Sequence, residues 1–165
     1  MIKAINKDIL TVDRGVIVHS VNCVGAIGGL AGAIARKWPE NAEKYREHVS
    51  RYNPQIMLLG SILQVRVAHN LVVANLFGQN SIGTGERRTE YSALIAGFNT
   101  INRTFFVGDD YLEGKDSGFL NTLDSIYIPY KIGCGLGGAD WDIVEGIIHE
   151  IFKKSSKHVY ICKHE

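Results

Sequence analysis

Two glycine-rich runs hold the chemistry that this sequence can offer. The first, Asn22-Cys23-Val24-Gly25-Ala26-Ile27-Gly28-Gly29, follows an apolar stretch from Val16 to Val21. The second, Gly133-Cys134-Gly135-Leu136-Gly137-Gly138, follows an apolar run containing Ile126, Ile128 and Ile132, read as a strand, and is expected to open straight into an amphipathic helix reaching Phe152. Glycine lets successive backbone N–H groups turn toward a ligand with no Cβ in the way, and a helix N-terminus carries about half a positive charge. Both features favour anionic oxygens, so each run is expected to cradle a phosphate. For either run alone, the plainer alternative is a tight turn between strand and helix.

The side chains beside these runs allow two roles each. Asn22 can hydrogen-bond a sugar hydroxyl, or it can close the turn by bonding its own backbone. His19 has the pKa range of a general base, yet an apolar strand also suits a satisfied core or edge histidine. Asp140 stands where an N-cap is expected, before Trp141, Val144, Ile147, Ile148 and Ile151, and is the other acid/base candidate. Cys134 could gain thiolate character from a helix terminus, but no histidine lies near it in sequence. Gln79, Glu86, Arg87, Arg88 and Glu90 read as a solvated loop, one of which could reach the rim of a crevice.

These residues need elements to position them. Ile2 to Ile5 and Val16 to Val21 read as strands, with Asp8 as a turn residue after the first. Leu30, Ala33, Ile34 and Trp38 recur at helical spacing and stop at Pro39, which suits the first turn of the next helix, ending near Tyr52-Asn53-Pro54. Gly60 to Val67 and Leu71 to Phe77 are expected to pair as a hairpin, and Gly78 to Arg88 to be an exposed loop. Tyr91, Leu94, Ile95, Phe98 and Ile101 predict a helix, and Lys157 to Cys162 a closing strand. Thr104 to Asp124 has no clear repeat and is expected to be an irregular insertion. The alternation gives an α/β fold with a mixed sheet covered by helices on both faces, and both glycine loops at the crevice beyond the strand C-termini.

At 165 residues the chain suits a single domain spanning 1–165. A net charge of +1 with 21% charged residues offers no basic excess for nucleic acid. The three cysteines, Cys23, Cys134 and Cys162, lack metal-type spacing, so no metal or cofactor is expected, and a reducing, intracellular compartment is. No apolar run approaches the roughly 18 residues of a membrane span, which predicts a soluble cytoplasmic protein. The second loop satisfies GxGxxG, but a dinucleotide dehydrogenase wants an acidic residue about 20 positions on and further strands beyond it. The corresponding positions are Lys157-His158, so that class is set aside.

Taken together, the two loops resemble the macrodomain family. Gly28 to Ile34 (GGLAGAI) is similar to its GGVxGAI segment, and His19 to Asn22 (HSVN) to the H-x-x-N before it. Lys7 to Leu10 (KDIL) resembles the first-strand motif whose Asp binds the adenine amino group. Ile128 to Trp141 and Arg87 to Leu94 resemble the branch of yeast-type ADP-ribose 1″-phosphate phosphatases and their bacterial and phage relatives. The resemblance covers nearly the whole chain outside Thr104 to Asp124. It implies a three-layer α/β/α sandwich and an ADP-ribose cleft with Asp8 and Ile9 at the adenine and Asn22 at the distal ribose. The backbones of Gly28, Gly29, Leu30, Gly32, Ala33 and Ile34, and of Ile132, Gly133, Cys134, Gly135, Leu136, Gly137 and Gly138, would hold the two phosphates. The implied activity is phosphatase or hydrolase action at the distal ribose. The alternative is a binding module that reads ADP-ribosylated protein or sequesters an NAD-derived nucleotide. The chain departs from relatives at Ala31 and Gly137, where hydrolase branches place Asp. A covalent lysyl intermediate is not expected, because the relevant strand end reads Asn75-Leu76-Phe77-Gly78-Gln79.

Overall fold

The computed structural model describes residues 1–104 and 123–164. Most of the expected insertion, residues 105–122, therefore lies outside the described residues. The strands are β1 (Ile2–Asn6), β2 (Gly15–Asn22), β3 (Ile62–Ala68), β4 (Leu71–Gln79), β5 (Ser125–Pro129) and β6 (His158–Lys163). The helices are α1 (Gly29–Lys37), α2 (Pro39–Ser50), α3 (Tyr91–Thr104) and α4 (Trp141–Phe152). The strands form one six-stranded sheet in the order β1-β6-β5-β2-β4-β3. All neighbours are parallel except β3 and β4, the expected hairpin, which pair antiparallel.

Alternation along the central strands sorts the core into two layers. Val16 and Val18 of β2, with Val72, Ala74 and Leu76 of β4, pack with Leu94, Phe98 and Ile101 of α3 and Val144, Ile148 and Phe152 of α4. The intervening residues face the other way. Ile17 and Val73 pack with Ile34 of α1, and Val21 and Phe77 with Tyr45 and Val49 of α2. Burial on both faces is why β2 and β4 read as continuous apolar runs rather than alternating ones. The architecture is the three-layer α/β/α sandwich.

From β2 the chain travels to β4 on one side, and then to β5 on the other, so the crevice of an α/β sheet falls beyond the C-terminal ends of β2 and β5. Both glycine runs begin there. One boundary differs from expectation: β4 continues to Gln79, and Gly78-Gln79 belong to the sheet rather than to an exposed loop. A bulge between Val21 and Asn22 sets Asn22 opposite Gln79, and the Cys23 N–H donates to the Gln79 carbonyl at 3.1 Å. Gly78 is there for packing, since a Cβ would lie 2.5 Å from Ser20 Oγ and 2.8 Å from Leu94 Cδ2.

Candidate functional site

The first wall is built by Asn22. Its Oδ1 accepts from the N–H groups of Val24 and Ala26, both at 3.1 Å, and its Nδ2 donates to the Ala26 carbonyl at 2.9 Å. The Tyr45 hydroxyl donates to the Asn22 carbonyl at 2.7 Å from below. Asn22 thus closes the turn, and it keeps one amide N–H uncommitted by these bonds. The loop delivers the chain to α1, whose N-cap is Gly28, with no side-chain cap and no acid in the first turn. The first N–H groups of that helix, at the cavity wall formed by Gly28, Gly29, Leu30 and Ala31, keep their positive end for a ligand.

The second wall is the turn after β5. The Ile132 N–H bonds the Pro129 carbonyl at 3.1 Å, with Lys131 at φ +61°, a conformation suited to glycine. The N–H groups of Gly135, Leu136 and Gly137 have no backbone acceptor among the described residues. The segment does not open straight into a helix, as the sequence suggested. Gly138, Ala139 and Asp140 intervene, and Asp140 Oδ1 accepts the Asp142 N–H at 2.9 Å. The positive end of α4 is therefore occupied by its own cap. Lys131→Gly is expected to raise stability by about 1 kcal/mol, by removing left-handed strain at a turn with room for it. Urea unfolding of the variant checks this, and unchanged or lower stability would show that the lysine side chain contributes more than the strain costs.

The third wall is legible in the sequence only in part: Gln79 and Arg88 are among the loop residues of which one could reach the crevice rim, while residues 81–84 are not singled out. Gln79, Ser81, Ile82, Gly83, Thr84 and Arg88 also line the cavity. Arg88 Nη1 donates to Ser81 Oγ at 3.2 Å and lies 3.7 Å from Glu86 Oε2, while its Nε is buried with no partner. The Arg88 and Thr89 N–H groups both donate to the Gly137 carbonyl at 2.9 Å, and the buried Thr89 hydroxyl donates to the Gly133 carbonyl at 2.8 Å. This wall is latched to the second glycine run. The arginine pair directly before α3 was the one signal for it.

The walls enclose a cavity of about 560 Å³. Its lining residues include two permanent cations, Arg88 and Lys131, and no carboxylate. His19 also lines it, and burial lowers its pKa to about 4 against the opposing effect of its hydrogen bond to Asn75, so the ring is neutral. Three buried side-chain atoms lack a hydrogen-bond partner among the described residues: His19 Nδ1, Ser20 Oγ and Arg88 Nε. All three belong to residues of the cavity wall.

Of the sequence-derived positions, the structure gathers His19, Asn22, Gly28, Gly29, Leu30, Ile132, Gly133, Gly135, Leu136 and Gly137 on the wall. It does not bring Asp8, Ile9, Gly32, Ala33, Ile34, Cys134, Gly138 or Asp140 to it. Asp8 caps the short helical turn Ile9–Thr11, accepting the Leu10 N–H at 3.0 Å, and lies 3.9 Å from His164 Nε2. Ile9 and Ile34 are core residues, and the Gly32 N–H already donates to the Gly28 carbonyl within α1. The Cys134 thiol donates to the Ile132 carbonyl, and burial, followed by the charge of Asp140, raises its pKa rather than activating it. Gly138, at φ +75°, backs onto Arg87. Among the described residues there is no metal-binding group of three or more His, Cys, Asp or Glu, and no helix long and apolar enough to cross a membrane.

No family model matches the sequence, and no curated protein matches it. Solved structures do. A protein from Bacteroides thetaiotaomicron is 25% identical over all of both chains, with a TM-score of 0.78. The macrodomain of Mycobacterium tuberculosis DarG is 23% identical over 99% of this chain and 97% of its own, with a TM-score of 0.76. Thermosipho africanus DarTG, solved in complex with ADP-ribose, is 18% identical over 98% of this chain and 41% of its own, with a TM-score of 0.74. The fold is that of the macrodomains, with the glycine-walled cavity at the C-terminal edge of the sheet.

Proposed function

We propose that this chain binds ADP-ribose or a close derivative in the cavity between its two glycine runs. The observation that carries this is the charge and donor pattern of the wall. Backbone N–H groups of both glycine runs that have no backbone acceptor among the described residues, and the cationic residues Arg88 and Lys131, belong to the wall, with no carboxylate among the lining residues. That pattern suits a diphosphate, held by Gly28 to Ala31 on one side and Gly133 to Gly137 on the other. The distal ribose then lies toward Asn22 and His19. The adenine lies toward Asp8, beyond the cavity on the β6 side, a placement carried from the first-strand motif. ADP-ribose in the structure of DarTG supports the same choice of ligand.

A second reading is hydrolysis of a distal-ribose substituent, with ADP-ribose 1″-phosphate first, as in the phosphatase branch that the sequence resembles. Arg88 favours it, because a half-buried guanidinium with an unpaired Nε–H can stabilise charge on a transferring phosphoryl group. Water would attack phosphorus as the P–O bond to the ribose breaks, and the released proton would pass to the departing ribose oxygen. No side chain here supplies a base: Asp140 is committed to α4, and burial keeps the His19 ring from taking up a proton. The substrate's own phosphate takes the proton from the attacking water and relays it to the departing ribose oxygen in this reading.

Calorimetric titration with ADP-ribose is expected to show saturable binding, weakened about tenfold or more in Asp8→Ala if the adenine contact holds. No binding to the native chain overturns the ligand. Phosphate release from ADP-ribose 1″-phosphate, lost in Arg88→Met, is the result expected of the enzyme. Tight binding without release leaves the binding module.

A further inference from the structure

We infer that His19 is a fixed hydrogen-bond acceptor in the cavity wall, its Nδ1 taking a hydroxyl proton from the ribose of the bound ligand, and that Asn75 is the positioning residue that sets it. The ligand half of this rests on the binding reading above; the tautomer half rests on the protein alone.

His19 and Asn75 are register partners on the parallel strands β2 and β4, and His19 Nε2 lies 2.6 Å from Asn75 Oδ1. Which atom carries the proton follows from the rest of the network. Asn75 Nδ2 donates to the Leu63 carbonyl at 3.0 Å and to Asn41 Oδ1 at 2.8 Å. Asn41 Nδ2 donates back to Asn75 Oδ1 at 3.0 Å. The two amides could exchange roles with each other, but the Leu63 carbonyl can only accept, so it pins the Asn75 nitrogen on its own side. Asn75 therefore presents oxygen to His19, and Nε2 must be the protonated nitrogen. A neutral imidazole has one N–H, which leaves Nδ1 as a bare lone pair.

That lone pair has no use in the protein. The residue is 3% exposed, its Nδ1 is buried without a partner, and His19 and Asn22 are both lining residues of the cavity. Burial opposes the second proton that would turn the acceptor into a donor. Of the titratable groups sharing this layer, Cys23 and Tyr45 are held neutral, since burial raises the pKa of both, and His48, whose ring packs on Phe77, is pushed down by burial and then by Arg51. An unpaired buried acceptor is costly, and a ligand donor relieves it. Phosphate oxygens cannot donate at neutral pH, whereas ribose hydroxyls can. His19 thus selects a free hydroxyl at the ribose beside Asn22 and disfavours an anionic substituent at that one position.

The test is ¹⁵N-detected NMR of His19 in the full chain, with ADP-ribose as the probe. The free protein is expected to show the Nε2–H tautomer, and saturating ADP-ribose is expected to shift the Nδ1 resonance upfield as it accepts a hydrogen bond. In Asn75→Asp, the carboxylate favours the imidazolium, which has no acceptor. Its affinity for ADP-ribose is expected to fall about tenfold or more from pH 8 to pH 6, while native affinity changes less than about twofold. An Nδ1–H tautomer in the free protein overturns the role of Asn75. An unmoved Nδ1 resonance at saturation overturns the hydroxyl contact while leaving the binding reading intact. If ADP-ribose fails to bind at all, the hydroxyl contact falls with the ligand, and the free-protein spectrum alone judges the tautomer.

Discussion

Gly137→Ala is expected to destabilise the chain by about 2–4 kcal/mol and to weaken ADP-ribose binding by about a hundredfold or more. A Cβ at this position would stand 2.3 Å from Thr89 Oγ1, 2.6 Å from Gln79 Nε2 and 2.6 Å from the Gly133 carbonyl. The Gln79 amide can turn aside, but Thr89 and the Gly133 carbonyl cannot yield cheaply. Thr89 is fully buried with its hydroxyl bonded to the Gly133 carbonyl, and the Gly137 carbonyl itself receives two N–H groups from Arg88 and Thr89. Moving Thr89 or the Gly133–Gly137 backbone unlatches the third wall from the second. Gly135→Ala is the matched comparison: nothing lies within 4 Å of its added Cβ, so its stability is expected to stay within about 0.5 kcal/mol of native. Urea unfolding and calorimetric titration of both variants check this. Equal stability of the two would mean that the latch does not constrain the loop.

This contrast shows what the sequence could and could not tell. Glycines announced both loops of the cavity wall, and the strand before each was legible because β2 and β5 are apolar enough to be buried on the sheet. The separate reasons for the glycines were not legible. Gly133 and Gly138 need positive φ, Gly137 is crowded by neighbours from another loop, and Gly135 meets neither constraint. The third wall was legible only as a possible rim contact for a related reason: residues 80–88 have no apolar period, and Arg88 is anchored by a bond to Gly137 far along the chain. Asp140 was read correctly as a cap, yet the consequence, that α4 spends its positive end on its own residue, needed the intervening Gly138-Ala139 turn to be seen. One signal was available and unused. Asn75 interrupts the apolar run Leu71 to Phe77, and a polar residue in a doubly buried strand must have a buried partner. Its partners are Asn41 and His19, which together define the least expected part of the site.

The same histidine predicts an acid-sensitive fold. Its pKa is about 4 in the folded chain against 6.5 for the unperturbed side chain, with burial as the main cause. Between those values the unfolded chain binds a proton that the folded chain refuses, so stability rises with pH across that window. The contribution is complete above about pH 6.5 and is lost as pH falls toward 4. From pH 7 to pH 5 the loss from this one group is expected to be about 2 kcal/mol. His48 is shifted in the same direction, by burial first and then by Arg51, and adds to the slope. Carboxylates titrate lower, so the window is clearest at its upper end. His19→Phe is expected to be less stable at pH 7, because Asn75 Oδ1 loses a donor, but its stability should change less than native stability between pH 7 and pH 5. The difference between the two urea-unfolding profiles isolates His19, and parallel profiles would show that its ring protonates freely in the fold. Ligand sharpens the outcome: if a ribose hydroxyl donates to Nδ1, ADP-ribose binds only the neutral ring, and saturating ligand should move the acid transition of the native chain further down in pH than that of His19→Phe.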